Sequence, residues 1–314
     1  MIDETTRTLE SVNADAAETP AAEPVRVMRA SEIHARRRPR AVAFVWLWEV
    51  VGAVVVATPV HAWARAVWGR HPDGDAPIFR AGGQDLVAWV LDRGLALSIV
   101  LRTTLILLFV LAVLAPLVTG ALGASLVTAQ GKRAPSAMSS LRLGLAAYFP
   151  LLVVGAFAAA FEGFVLGVGV IASSLADHRL AETVGDARSF LVRIVVLALF
   201  FAGVLIVGVA ADLMRVAVIR AVALDPQAST LTHLRRALAS AAWTVQRSLG
   251  RATVGWAWRA LLAAASVVAG SLLGDAVGGQ GGPVLLALFV AHQLLIAGRV
   301  ALRASWLANA FRLL

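Results

Sequence analysis

From residue 41 to the end of the chain, six long apolar runs alternate with short polar segments that carry most of the arginines. The runs lie at approximately 41–59, 96–120, 145–172, 190–213, 253–274 and 284–305. Each is close to or above the roughly 20 residues that a helix needs to cross a bilayer. The pattern predicts an all-α fold, a polytopic transmembrane bundle of about six spanning helices plus interfacial amphipathic helices. The expected division is a tail over 1–40 and a six-span domain over 41–314. Six crossings return the chain to the side on which it started.

Two segments between spans show periodicity of their own. After Asp225-Pro226, the residues Leu231, Leu234, Leu238, Ala242, Val245 and Leu249 recur every three or four positions, which is one face of a helix. Arg235, Arg236, Gln246 and Arg247 occupy the other side with Trp243 among them. Such a helix either lies in the membrane interface or packs on the ends of the spans. The segment from His61 to Arg93 carries Trp63, Trp68 and Trp89, read as headgroup anchors, around the turn sequence His71-Pro72-Asp73-Gly74-Asp75 between two short helices.

Composition agrees with the pattern. Hydrophobic residues make up 59% of the chain and charged ones 15%, far from the balance of a soluble domain, and mean hydropathy is +0.80. A net charge of +9 could point to nucleic acid, but the arginines sit at the ends of apolar runs, where anionic lipid headgroups attract them. Membrane lipids are therefore the expected partners, with no nucleic acid. Cysteine is absent, which excludes disulfides and thiolate metal sites. Arginine outnumbers lysine 27 to 1, a bias of high-GC bacterial genomes.

Charge also orients the spans. Residues 1–24 are acidic, proline-bearing and poor in apolar side chains, and are expected to stay disordered. Arg26, Arg29, Arg36, Arg37, Arg38 and Arg40 then form a basic block before the first run. That run exceeds the 7–15 residues typical of a signal-peptide core, so an uncleaved anchor is expected. Arginines are dense before run one, between runs two and three, between runs four and five, and at the end, and sparser on the other side. The positive-inside rule places both termini in the cytoplasm of a bacterial inner membrane.

Ionisable residues inside the spans are the main candidates for function, because a charge at mid-bilayer survives only when paired or hydrated. By depth, Arg102, Glu162 and Arg193 fall toward the outer side, and Glu49, Asp212, Arg259 and Arg299 toward the cytoplasmic side. The expected pairs are Glu162 with Arg102 or Arg193, and Glu49 or Asp212 with Arg259, Arg215 or Arg299. Gly155, Ala159, Gly163 and Gly167, spaced by four, predict a small-residue ridge for helix approach beside Glu162, and Ser266, Gly270 and Gly274 a second one. These charges either lock helices in register or line a solute or proton path.

Catalytic signatures are missing: the chain holds no HExxH, no GxSxG and no phosphate loop with lysine. No enzyme activity, metal or cofactor is predicted. His71 with Asp73 and Asp75 has ligand chemistry, but the same residues make an ordinary turn. Asp177-His178 reads as a solvated loop. His292, next to Gln293, reads as a hydrogen-bonding link between helices, and Gly278 to Pro283 as a flexible outer turn.

The six runs, the Asp212-Leu213-Met214-Arg215 sequence closing run four, and the Leu-Arg-x-x-Leu-Ala helix that follows at Leu234 together resemble a group of six-span bacterial proteins. That group includes the membrane region attached to some glycerophosphodiester phosphodiesterases. The resemblance covers 41–314 and lacks the catalytic barrel, so it implies a membrane module concerned with envelope or lipid homeostasis, without phosphodiesterase activity. The expected role is a non-enzymatic scaffold or accessory subunit, with a membrane protein partner or a homo-oligomer. The alternative is a small permease or lipid-handling transporter that uses the charges near Glu162.

Overall fold

The computed structural model describes residues 25–68, 94–130, 133–277 and 282–314. The acidic stretch 1–24, the His71, Asp73 and Asp75 turn, Trp89 and residues 278–281 lie outside the described residues. Six long helices dominate the rest: α1 (Pro39–Trp68), α2 (Gly94–Val127), α3 (Ala137–Val184), α4 (Asp186–Leu224), α5 (Thr230–Val277) and α6 (Pro283–Leu313). All six are long and apolar enough to cross a membrane. The fold is thus an all-α bundle of six candidate spans.

Each helix runs past its apolar stretch, because Ala, Leu and Arg continue at high helix propensity beyond the hydrophobic run. Short connections then force antiparallel neighbours. Between α3 and α4 the link is Gly185 alone, at φ 81°, a left-handed conformation that a residue without Cβ adopts freely. Between α4 and α5 the stop comes at Asp225-Pro226, where proline disfavours helix at the residue before it. His233 then bonds the Asp225 carbonyl at 2.9 Å and Arg236 pairs with its carboxylate at 3.3 Å, tying α5 back to the turn.

Packing follows chain order around a ring, α1 to α6, which closes where α6 returns to α1; α2, α4 and α6 also meet inside it. Burial is concentrated at one end, the end that holds residue 25 and Leu314. There Leu126, Leu151, Leu213, Trp306, Leu307 and Phe311 are all sealed in one core. Elsewhere large side chains such as Phe109, Phe157, Leu199 and Leu261 point outward. In a bilayer these faces meet acyl chains as apolar as themselves, so leaving them outside the core has little cost.

The basic block is folded instead of forming the end of a disordered tail. Val25–Val27 pairs antiparallel with Thr128–Gln130 as β1 and β2, and single turns at Ala30–Glu32 and Ala35–Arg37 follow. Two contacts explain the order. Ile33 is buried in the core, and Arg38, also buried, donates to the Thr128 carbonyl at 2.8 Å, just past the carboxyl end of α2, where the helix dipole favours a cation. Counting charge alone hides this, since five neighbouring arginines stay outside. On the exposed side, Arg26 donates to both Glu32 carboxylate oxygens at 3.2 Å. That pair, helped by the Arg29 amide, holds the Glu32 carboxyl below the ordinary carboxylate range.

The amphipathic segment 231–249 is the first part of α5, separated from the spanning part by a kink at Ser248 (φ −137°, ψ 19°). Its buried face is His233, Ala237, Ala241 and Thr244, one step around the helix from the leucine stripe. Small residues pack on protein, while Leu231, Leu238 and Trp243 stay exposed. Arg247 stacks over Trp243 at 3.8 Å.

Candidate functional site: an ion-paired centre and an arginine-rimmed groove

Asp212, 2% exposed, is the most deeply buried carboxylate among the described residues. It sits on α4 about 18 Å from the Leu224 end, at ~1.5 Å per residue. An acid there must be neutralised, and three donors do it. Arg215, one turn on, reaches Oδ1 at 2.7 Å; Arg303 of α6 makes a two-pronged pair at 2.5 and 2.7 Å; the Trp306 indole donates to Oδ2 at 2.9 Å. The fork geometry of guanidinium suits this bidentate hold. Arg303 also lies in the field of Glu49 on α1, as does Arg299. The centre thus joins α4 and α6 directly and draws in α1.

Of the arginines expected near Asp212 or Glu49, Arg215 meets Asp212, while Arg303 and Trp306 are partners that the spans alone do not indicate. Arg299 sits one helical turn before Arg303, is exposed and lies in the field of Glu49. The available signal was the pair Arg303 and Trp306 at spacing three, a cation and an indole donor on one face. Arg259 pairs with no carboxylate among the described residues. Its guanidinium donates to Ser305 Oγ at 3.2 Å and to the Gly255 carbonyl, and lies 4.3 Å over the Trp258 ring.

The outer cluster does not assemble as expected. Arg193 pairs with Asp177 at 3.6 Å, so Asp177 is not a free loop residue. Glu162 makes no ion pair within 4.0 Å among the described residues, and Arg102 is exposed. A Cβ placed on Gly208 of α4 would lie 3.6 Å from Glu162 Oε1, so Glu162 does face a neighbouring helix. Gly155, Gly163 and Gly167, however, have open space where a side chain would go, and Ala159 is exposed. The buried stripe of α3 is Ala147, Leu151, Val154 and Ala158, turned away from those glycines.

Close helix approach falls at other glycines. A Cβ on Gly144 of α3 would come within 2.7 Å of the Ala121 amide nitrogen on α2, and one on Gly120 within 3.0 Å of Gly144. Gly123 lies against Ile219 and Gly169 against Phe200. Of the second predicted ridge, Gly270 meets Leu295 and His292, whereas Gly274 faces open space. His292 bridges α5 and α6, its ring nitrogens 2.8 Å from the Leu288 carbonyl and 3.1 Å from that of Gly270. It is a helix link, as its position in the sequence implied.

Near the centre, a groove of about 1290 Å³ runs between residues 34–46 and α6, with Trp258 of α5 on one wall. Val42, Trp46, Gly298 and Leu302 line its length, and Arg36, Arg37 and Arg312 stand at its mouth. Among the described residues no acidic side chain lines it. A smaller recess of about 520 Å³, which also touches Trp258, is lined by Arg251, Arg259 and Asn309. No protein-family model, curated protein or solved structure matches this chain.

Proposed function

We propose that this chain is a non-enzymatic scaffold or accessory subunit of a bacterial inner membrane, with both termini cytoplasmic, that serves an envelope or lipid-related process. The observation that carries this reading is the buried Asp212 carboxylate, both of whose oxygens are bonded. A carboxylate satisfied by two guanidiniums and an indole is a structural lock, because a path needs charges that water reaches. The arginines around it favour the cytoplasmic side. The resemblance to six-span modules found beside phosphodiesterases supports the lipid-related setting.

Glu162 supports a second reading as a permease, since an acid that faces another helix and has no ionic partner among the described residues is the kind of group that relays protons. Two measurements separate the readings. Native mass spectrometry after gentle purification should retain a protein partner or a second copy, and proteoliposomes should show no proton or solute flux. A flux abolished by Glu162→Gln, from a chain with no partner, would establish the permease instead. Cysteines introduced near residue 30 and at Leu314 should label only from the cytoplasmic face.

A further inference from the structure

We infer that the groove between the amino-terminal turns and α6 binds an anionic glycerophospholipid, its phosphate on Arg36, Arg37 and Arg312 and one acyl chain laid between α1 and α6. Two properties of the groove specify this ligand. Its mouth holds three exposed arginines, none of them in an ion pair among the described residues. Guanidinium forks match phosphate oxygens, and each cation near an anionic membrane surface contributes favourably. Its walls are apolar, formed by Val42, Trp46, Trp258, Gly298 and Leu302. A soluble phosphate would use the mouth and leave those walls empty.

The dimensions agree. From Arg312 back to Ala297, both lining the groove, α6 covers about 22 Å at ~1.5 Å per residue. That exceeds the roughly 15 Å hydrocarbon depth of one leaflet, leaving room for the phosphate level. At Gly298 a Cβ would meet nothing within 4 Å, so the wall opposite the amino-terminal turns is hollow there. The acidic residues 1–24 could answer the arginines but carry too few apolar side chains to cover the walls.

The test uses the full-length chain, delipidated in detergent and titrated with phosphatidylglycerol or phosphatidylcholine, with bound lipid counted by native mass spectrometry. The wild type should retain one phosphatidylglycerol and prefer it to phosphatidylcholine. The triple change Arg36→Gln, Arg37→Gln and Arg312→Gln should cut that affinity by roughly 100-fold, the combined weight of three cations at an anionic surface. Gly298→Leu should abolish retention without touching a charge. Helicity and thermal midpoint check that both variants fold; if either fails, photoactivatable phosphatidylglycerol on the wild type should cross-link within residues 42–46 or 297–302. Equal retention by all three proteins, cross-links elsewhere, displacement by inorganic phosphate, or binding that appears only after residues 1–24 are deleted would each overturn the site. Partner and lipid appear as separate masses, so this test and that of the scaffold reading fail independently.

Discussion

Asp212 is buried so completely that its partners must be judged as a set. Asp212→Asn leaves two guanidiniums facing a neutral amide and should destabilise the protein by about 3–5 kcal/mol, the usual consequence of stripping one charge from a buried pair. Replacing both members, as in Asp212→Leu with Arg303→Met, should recover most of that loss. Unfolding in graded detergent mixtures measures both; a double variant as weak as the single one would show that the centre does more than lock helices. Glu32 offers a contrast at the surface. Its folded carboxyl is held below the unfolded value, so its contribution is present above that value and disappears as pH falls through the folded one. The thermal midpoints of wild type and Glu32→Gln should therefore converge on acidification, from a small difference, because the pair is exposed.

Among the helices, the crossing of α2 and α3 depends on two glycines. Gly144→Ala would drive a methyl into the Ala121 backbone and should cost about 1–3 kcal/mol, whereas Gly163→Ala, in open space, should be neutral or gain up to about 1 kcal/mol. A thermal-shift comparison decides between them. A spacing of four was legible at Gly155, Ala159, Gly163 and Gly167, but spacing does not reveal which face meets a neighbour, and the contacting stripe lies one step around the helix. Before α1, Arg38→Ala should release β1 from β2, a loss of about 1.5–3 kcal/mol for a hydrogen bond from a charged group. Faster amide exchange at Arg26 and Met28, the amides in and just after β1 that face the other strand, would report it. That local fold was hidden in the sequence because five exposed arginines mask one buried one.

At the scale of the whole molecule, six spans and their alternation could be read from the apolar runs, since a bilayer demands about 20 such residues per crossing. The uneven distribution of packing could not. It comes from all six helices converging with the amino-terminal turns at one end, where Trp306, Phe311 and Leu213 interlock. The candidate centre was half legible: the acid and its neighbour Arg215 share a turn, while Arg303 required knowing that α6 returns beside α4. Because the opposite half is faced mainly by lipid, short-chain detergents should loosen it first. Hydrogen exchange should then rise in residues 160–200 while residues 209–222 remain protected.

Asp212 and Arg303 stand 91 residues apart along the chain. A ribosome adding about 5–20 residues per second needs roughly 5–18 s to go from one to the other. By the later part of that interval α4 is complete while the two-pronged partner of its acid has yet to be made. Arg215, only three residues behind, is the counter-charge that can travel with Asp212 into the bilayer, and α6 completes the centre when it arrives.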